Sequence, residues 1–181
     1  NPVQYTASLI SDVGTNTIRS LITKEGTLRI RTISGTGKVL VLSGGILNIG
    51  GSNLGFNPES GSTIIVKDKP LQLGSVSIQS EYPGTVVLAV SGNVYGSLLL
   101  VDNHKVRTDV ADALCPTATL TVGGSWVAGG ILDMNGFDQT TTLLKTDNFS
   151  NPGYRAVTSA VPATLTVNQN SSSVYAAALA G

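Results

Sequence analysis

Residues 38–49 read Lys-Val-Leu-Val-Leu-Ser-Gly-Gly-Ile-Leu-Asn-Ile, and this stretch indicates the fold class. It contains two short apolar runs, separated by Ser43 and Gly44. Val and Ile fit the pleated surface of a sheet, while Gly tolerates the positive φ angles of tight turns. The stretch therefore predicts two short β-strands with a sharp turn between them.

The same pattern recurs along the chain. Comparable runs occupy residues 27–30, 62–66, 71–73, 76–78, 85–90, 97–101, 119–122, 130–134, 141–144 and 164–167. Several alternate apolar and polar residues with period two, and most are bounded by Gly, Pro, Asn or Ser, as strands are. Only Asp102–Leu114 is compatible with a helical turn or an excursion, and the Ala-rich Val174–Ala180 favours a strand. The sequence thus predicts an all-β protein.

The charge composition limits the classes of partner that the chain can bind. Only 12% of the residues are charged, with 11 basic and 11 acidic side chains and a formal net charge of zero. A neutral chain lacks the basic surface that binds phosphate backbones, so we expect no nucleic-acid binding. Neutrality favours self-association instead, because little charge repulsion keeps copies apart.

The chain's 181 residues are interpreted as one β-solenoid segment, 1–181, that belongs to a longer or self-assembling chain. The start at Asn1 and the end at Gly181 suggest a processed or excerpted piece. No apolar run approaches the ~18 residues that a membrane span needs. The single cysteine, Cys115, excludes an internal disulfide.

Two internal similarities suggest a repeat. Residues 44–48, Gly-Gly-Ile-Leu-Asn, return as Gly-Gly-Ile-Leu-Asp at 129–133, and Thr-Leu-Thr-Val at 119–122 returns at 164–167. The two offsets fit four and two units of roughly 21–22 residues each. That is the size of one coil in a three-sided β-helix. The sequence therefore predicts a parallel β-solenoid of about eight or nine coils.

A β-sandwich or jelly roll is the alternative architecture. Its antiparallel hairpins would show frequent two-residue Asn-Gly or Asp-Gly turns. Asn-Gly occurs once here, at Asn135-Gly136, and the other turns do not resemble hairpin turns.

The second half of the chain resembles the autotransporter-associated β-strand repeat over residues 96–181. The resemblance rests on Gly-Ser-Leu-Leu-Leu-Val at 96–101, Ala-Thr-Leu-Thr-Val-Gly-Gly at 118–124, and Gly-Gly-Ile-Leu-Asp-Met-Asn-Gly-Phe-Asp-Gln-Thr at 129–140. Departures include Met134, where Leu is usual, and the charged stretch from Asp102 to Asp112. The first half matches less closely.

This resemblance implies a right-handed parallel β-helix in a secreted or surface-exposed bacterial passenger segment. It implies no enzymatic activity and no cofactor, because the repeat marks an architecture and carries no catalytic motif. The implied location is extracellular, at the bacterial cell surface.

The charged stretch contains one candidate cation site. His104 is the only histidine, and with Asp102, Asp109 and Asp112 it offers ligands that a divalent cation accepts. The alternative is a solvated loop in which Lys105 and Arg107 neutralise the acids. We favour the loop and assign no catalytic, cofactor or metal residue.

Other candidate residues also have structural interpretations. Cys115 is expected to be a half-buried structural thiol, because no second Cys or catalytic pattern accompanies it. Arg29, Arg31 and Lys38 fit a solvated strand face, and Trp126 fits corner packing better than sugar stacking. The sequons at 148–150 and 170–172 matter only in a eukaryotic secretory setting. The acids are dispersed along the chain, whereas polysaccharide-degrading enzymes need clustered carboxylates.

The expected function is a structural, extracellular module that forms a stiff rod or filament. Its expected partners are copies of itself, or adjacent repeats, stacked end to end at unpaired strand edges. An adhesin or carbohydrate-binding module that uses an exposed Tyr/Trp and Asn/Thr face for surface glycans is the first alternative. A β-helical polysaccharide-degrading enzyme is the second.

Overall fold

The computed structural model describes residues 6–80, 82–101, 104–123, 129–146, 155–169 and 171–180. Within these ranges the chain forms β-strands only, numbered β1–β20 in chain order. The first sheet contains β1 (Thr6–Ser11), β4 (Thr27–Thr32), β7 (Asn53–Pro58), β10 (Ser77–Ser80), β12 (Ser97–Leu100), β14 (Thr119–Val122) and β17 (Leu143–Lys145).

The second sheet contains β2 (Thr15–Ile18), β5 (Val39–Leu42), β8 (Thr63–Lys67), β11 (Thr85–Ala89), β13 (Lys105–Thr108), β15 (Gly130–Asp133), β18 (Arg155–Thr158) and β20 (Ala178–Ala180). The third face is shorter and interrupted. It contains β3 (Ile22–Lys24), β6 (Ile46–Asn48) and β9 (Leu71–Gln72), and farther along the chain β16 (Gln139–Thr141) and β19 (Leu165–Val167).

The chain visits the faces in turn, and each strand pairs in parallel with its counterpart one coil later. The coil that joins Ser77 to its partner Ser97 is shorter than the coil that joins Leu28 to its partner Leu54. The fold is therefore a parallel β-solenoid, as predicted, and the sandwich alternative is wrong. Six turns separate the first and last of the seven strands in the first sheet. This is fewer than eight or nine, because several coils are longer than the repeat offsets suggested.

The two sequence repeats that led to the solenoid prediction are not structurally equivalent copies. Residues 119–122 form β14 in the first sheet, whereas residues 165–167 form β19 on the third face. Likewise, residues 46–48 lie on the third face and residues 130–133 in the second sheet. Neither offset is therefore a whole number of coils. The motifs recur because every face uses the same kind of short strand.

The core consists of rows of aliphatic side chains that run along the stack. One row in the second sheet contains Leu40, Ile64, Val86, Val106, Leu132 and Val157, and all six are buried. A row in the first sheet contains Leu28, Leu54, Ile78, Leu98, Leu120 and Leu144. Burying each such side chain contributes about 1.5–3 kcal/mol. Parallel register thus places apolar residues on apolar residues in successive coils.

Two of the strands that the sequence did not predict are informative. Within the charged stretch, Lys105–Thr108 forms β13 rather than a helical turn, because Val106 and Thr108 point inward at the positions of the rows. β7, Asn53–Pro58, has no strand signal, since Asn, Gly and Pro are poor strand formers. Its alternating Leu54 and Phe56 nevertheless fill two core positions.

Glycine is required where neighbouring coils approach closely at corners. At Gly44 a side chain would overlap the backbone carbonyl of Ser20 in the preceding coil. At Gly51 it would overlap the backbone of Gly26, and φ there is +94°, which L-residues avoid. The glycines between strand runs therefore serve coil stacking as well as turning.

A buried amide side chain replaces main-chain pairing where the third face is interrupted. Asn93 is buried, and its Oδ1 accepts a hydrogen bond from the Leu71 N–H at 2.8 Å. Its Nδ2 donates to the carbonyl oxygens of Val90 and Ala113, both at 2.8 Å. Asn93 thereby connects the coil before it with the coil after it.

Gln139 performs the same task two coils later. Its Oε1 accepts from the Leu114 N–H at 3.0 Å, and its Nε2 donates to the carbonyl of Val110 at 2.8 Å. Buried main-chain groups without partners are costly, so these two amides stabilise a face that lacks a continuous ladder.

Replacing Asn93 with Ala should lower the free energy of unfolding by about 2–5 kcal/mol, because a buried N–H and a buried carbonyl both lose their partner. Urea unfolding followed by circular dichroism measures the change. The control is Asn168→Ala at an exposed position, which should change stability by less than about 0.5 kcal/mol. Equal effects of the two substitutions would contradict the assigned role.

Candidate functional site

Exposed apolar side chains concentrate at the two ends of the stack. Of the exposed large hydrophobic residues in the described ranges, Ile10, Val13 and Leu21 belong to the first coil, and Val161, Val174 and Leu179 belong to the segment from residue 159 onward. The remaining ones lie on the flanks and are Leu47, Ile49, Tyr82 and Val94. The ends are therefore the most apolar parts of the described surface.

At the first coil the interior of the solenoid is open. Leu9 and Ile18 pack against the core but are only half-buried. Together with Ile10, Val13 and Leu40 they line a hollow of about 250 Å³. The hollow exists because no described residue stacks on the inward-facing side chains of β1 and β2.

The opposite end shows the same incomplete stacking. Leu179 in β20 pairs in register with Val157 and is thus the last described member of the inward row that contains Leu40. Val157 is 2% exposed, whereas Leu179 is 68% exposed. The difference arises because one side of Leu179 has no neighbouring coil among the described residues.

Main-chain groups are also open at both ends. β1 and β2 are the first strands of the two long sheets, and β17 and β20 are the last. Residues 173–176 lie on the outer edge of β17, where Ser173 Oγ donates to the carbonyl of Leu144 at 2.8 Å and the Thr146 N–H donates to the carbonyl of Val174 at 2.9 Å. Within the described ranges, the outer edges of β1, β2 and β20 pair with no other strand, so each can template a further parallel strand. Apolar surface and free hydrogen-bonding groups coincide at these ends.

The charged residues of β13 and β15 form a paired network on the outer face of the second sheet. Lys105 Nζ lies 2.7 Å from Asp133 Oδ2. Arg107 donates to both carboxylate oxygens of Asp109, at 2.7 and 2.9 Å, which raises the pKa of the guanidinium. Asn135 Nδ2 donates to Asp109 Oδ1 at 3.0 Å, and its N–H donates to Asp133 Oδ1. Each carboxylate is thus already compensated by a cation.

The predicted cation ligands do not come together. Asp109 lies in this outer network, whereas His104 is buried. Asp112 occupies a turn with φ +52°, where its N–H donates to the carbonyl of Asp138. Asp102 lies outside the described residues. Across the ranges that can be described, no three His, Cys, Asp or Glu side chains are grouped as metal ligands.

His104 departs from the expected solvated loop. Its side chain is fully buried, and Nδ1 lies 2.7 Å from the carbonyl oxygen of Tyr82. Nε2 is buried without a hydrogen-bond partner in the part of the chain that the structure describes. Burial lowers the pKa of His104 to about 4. The imidazole is therefore neutral at pH 7.

Cys115 is more deeply buried than expected. Only 2% of it is exposed, and Sγ lies 3.3 Å from Thr117 Oγ1. The Cys115 N–H donates to the hydroxyl of Tyr95 at 3.1 Å, and burial raises the pKa of that tyrosine. The thiol is therefore shielded from solvent, and its structural role stays a prediction.

The remaining candidates are surface groups or fall outside the described ranges. Arg29 is exposed and Lys38 is half-buried. Arg31 pairs with Glu59 at 3.0 Å, and its guanidinium lies 5.6 Å from the ring centre of Tyr82. Trp126, residues 148–150 and Asn170 lie outside the described residues, so their predicted roles stay predictions.

We expect the stability of the protein to fall as the pH decreases from about 6.5 to about 4. The unfolded chain protonates His104 near its ordinary pKa of 6.5, whereas the folded chain does so only near 4. Protons therefore favour the unfolded state between these values, by up to about 3 kcal/mol.

Urea unfolding at pH 7.5 and pH 4.5 measures this loss, and His104→Gln is the matched variant, because an amide does not titrate in this range. Carboxylates contribute equally to both proteins, so the wild type should lose more stability than the variant. Identical losses would contradict the assignment.

No family model, curated protein or solved structure matches the chain. In the described ranges, the structure also contains no helix long and apolar enough to cross a membrane. The fold and the two open ends are therefore the features from which a function can be argued.

Proposed function

We propose that this chain is a structural, extracellular β-solenoid module that lengthens into a stiff rod by end-to-end stacking. The observation that carries the proposal is Leu179, a member of an inward-facing core row that is 68% exposed only at the end of the stack. The open hollow around Leu9 and Ile18 at the other end supports it. Both ends are incomplete coils of the same core.

The parallel arrangement determines how modules join. The strand edge at the last coil and the strand edge at the first coil are different surfaces, so the contact is head to tail. Such a contact does not close on itself when the joined modules continue along one axis, and it therefore propagates. Adjacent repeats of a longer chain, or separate copies of this chain, satisfy the same geometry.

The free energy gained by burying apolar side chains favours this association. Three large apolar side chains are exposed at each end, and burying one contributes about 1.5–3 kcal/mol. Association of separate molecules costs roughly 4–15 kcal/mol in lost translational and rotational freedom. Ile10 pairs with the outward-facing Arg31 and stays on the side of the rod, so at most five of these side chains are buried at a junction. Together with main-chain hydrogen bonds, they are sufficient to offset much of that range. Stacking within one longer chain avoids the cost of bringing two molecules together.

The cellular setting comes from sequence. The resemblance to the autotransporter-associated repeat over residues 96–181 supports a secreted location at the bacterial surface. The zero net charge supports close association of copies. We expect no enzymatic activity, since Asp109 and Asp133, which approach each other through Asn135 in the described part of the chain, are each bound to a cation.

Charge introduced at the last coil should prevent stacking. We expect wild-type protein to form rods longer than one module, which spans on the order of 35 Å at ~4.8 Å per coil. Leu179→Lys, with a second variant Val174→Lys, should give short particles, because a lysine at the junction would be buried without a partner. Negative-stain microscopy and light scattering after size exclusion measure particle length and mass.

Ile49→Lys is the matched control, because Ile49 is 63% exposed but lies on the flank of the stack. It should leave rod length unchanged, and all variants should keep the wild-type circular dichroism spectrum. A wild-type protein that stays one module long at every concentration tested would overturn self-stacking. Equal shortening by Ile49→Lys would show that the ends have no special role.

A further inference from the structure

The outer face of the first sheet contains a second feature, a hollow of about 300 Å³ that extends across β10, β12, β14 and β17. Short polar side chains at outward positions form its floor, among them Ser97, Thr119 and Thr121. Leu99 and Leu143 add apolar surface within the same hollow. The hollow lies on the outer side of the rod, whereas the proposed stacking uses strand edges and inward-facing side chains.

Thr121 is the residue that points to a ligand. It is only 4% exposed and lies in the hollow between Leu99 and Lys145 of the neighbouring strands. Its side-chain hydroxyl has no hydrogen-bond partner in the described ranges. By contrast, Ser97 in the same hollow donates to Ser77 Oγ at 2.8 Å. Among the described residues, the buried side-chain atoms without a partner are Arg31 Nε and His104 Nε2, so the Thr121 oxygen is not sealed from solvent and opens onto the hollow. A group that enters the hollow can therefore bond to this hydroxyl without displacing a protein partner.

The charge of the hollow restricts the class of ligand. Among the described residues, Lys145 is the only charged one that lines it, and that side chain has an interaction of its own. A single engaged lysine is not the basic surface that a nucleic acid requires. A peptide that adds as a strand needs a free sheet edge, whereas the backbone of β12 and β14 is paired on both sides.

We propose that this hollow binds a short segment of a neutral glycan. Sugar rings present hydroxyls that both donate and accept hydrogen bonds, and they also have apolar C–H faces. The serine and threonine hydroxyls match the first property, and Leu99 with Leu143 matches the second. A volume of 300 Å³ is at the lower limit for ligand sites. Binding is therefore expected to be weak, with a Kd on the order of 1 mM.

Isothermal titration calorimetry with neutral cello-, xylo- and N-acetylated chito-oligosaccharides tests the proposal, with oligogalacturonate as the acidic contrast. We expect at least one neutral oligosaccharide to bind with one site per chain, whether or not the chains are stacked. Thr121→Val keeps the shape of the side chain and removes its hydroxyl. It should weaken binding about threefold to tenfold, the effect of one neutral hydrogen bond.

Two further variants separate binding from folding. Ser97→Lys fills the hollow with a longer side chain and should abolish binding. Thr140→Val makes the same Thr-to-Val change on the third face, at a half-buried position outside the hollow, and should leave affinity unchanged. Thr121→Val should fold with unchanged thermal stability, because the substitution removes no hydrogen bond within the described protein.

Absence of binding by every neutral oligosaccharide would overturn the proposal and would mean that water alone occupies the hollow. Binding that is equal in the wild type, Thr121→Val and Ser97→Lys would also overturn it, since the site would lie elsewhere. Binding of oligogalacturonate alone would overturn the neutral class of ligand. None of these results bears on rod length, so end-to-end stacking fails or succeeds independently.

Discussion

The parallel hydrogen-bond ladder between successive coils is the constraint on which the rest of the structure depends. It fixes the register, so each side chain has its counterpart one coil away on the same face. Inward rows consequently become continuous aliphatic stacks, and outward rows become continuous surfaces. The same ladder requires glycine at corner positions such as Gly44, because it brings the corners of neighbouring coils too close together for a side chain. Where the ladder is interrupted, the buried amides of Asn93 and Gln139 replace it.

The fold could be predicted from sequence only where a structural feature depends on residues that are close together in the chain. Period-two alternation is local, and it identifies strands such as β5, β8 and β11 directly from sequence. Coil length is not local, since it changes from one coil to the next with the length of the corners. The short matching motifs therefore led to the correct architecture, but they matched strands that lie on different faces. These strands look alike in sequence because all faces use a similar amino-acid composition. β7 was missed for a related reason: its Asn, Gly and Pro are tolerated when two inward residues satisfy the core.

The candidate sites were less predictable than the fold. The pattern of His104 and nearby acids suggested either a cation site or a solvated loop, yet one-residue alternation on β13 sends Val106 inward and Arg107 outward. His104 is buried, while Asp109 pairs with Arg107 at the surface. Thr121 carries no sequence signal at all. Its near-complete burial on an outward face depends on Leu99 and Lys145, which lie one coil before and one coil after it and are brought beside it only by register.

Leu179 and Thr121 are unusual for opposite reasons. Leu179 characterises the ends of the stack, and Thr121 characterises the hollow on the outer face of the first sheet. Leu179 is an interior residue by register and is exposed by its position at the end of the row. Its unfavourable exposure is relieved only by another coil, so the chemistry at the ends selects a partner of the same fold. Thr121 is an exterior residue by register and is buried by its neighbours. Its hydroxyl opens onto the hollow and can bond to any small polar group that fits, so the chemistry at the side selects a ligand of a different kind. A solenoid that lengthens at its ends repeats its sides at every module, and weak sites repeated along one rod reinforce each other when they bind one polymer.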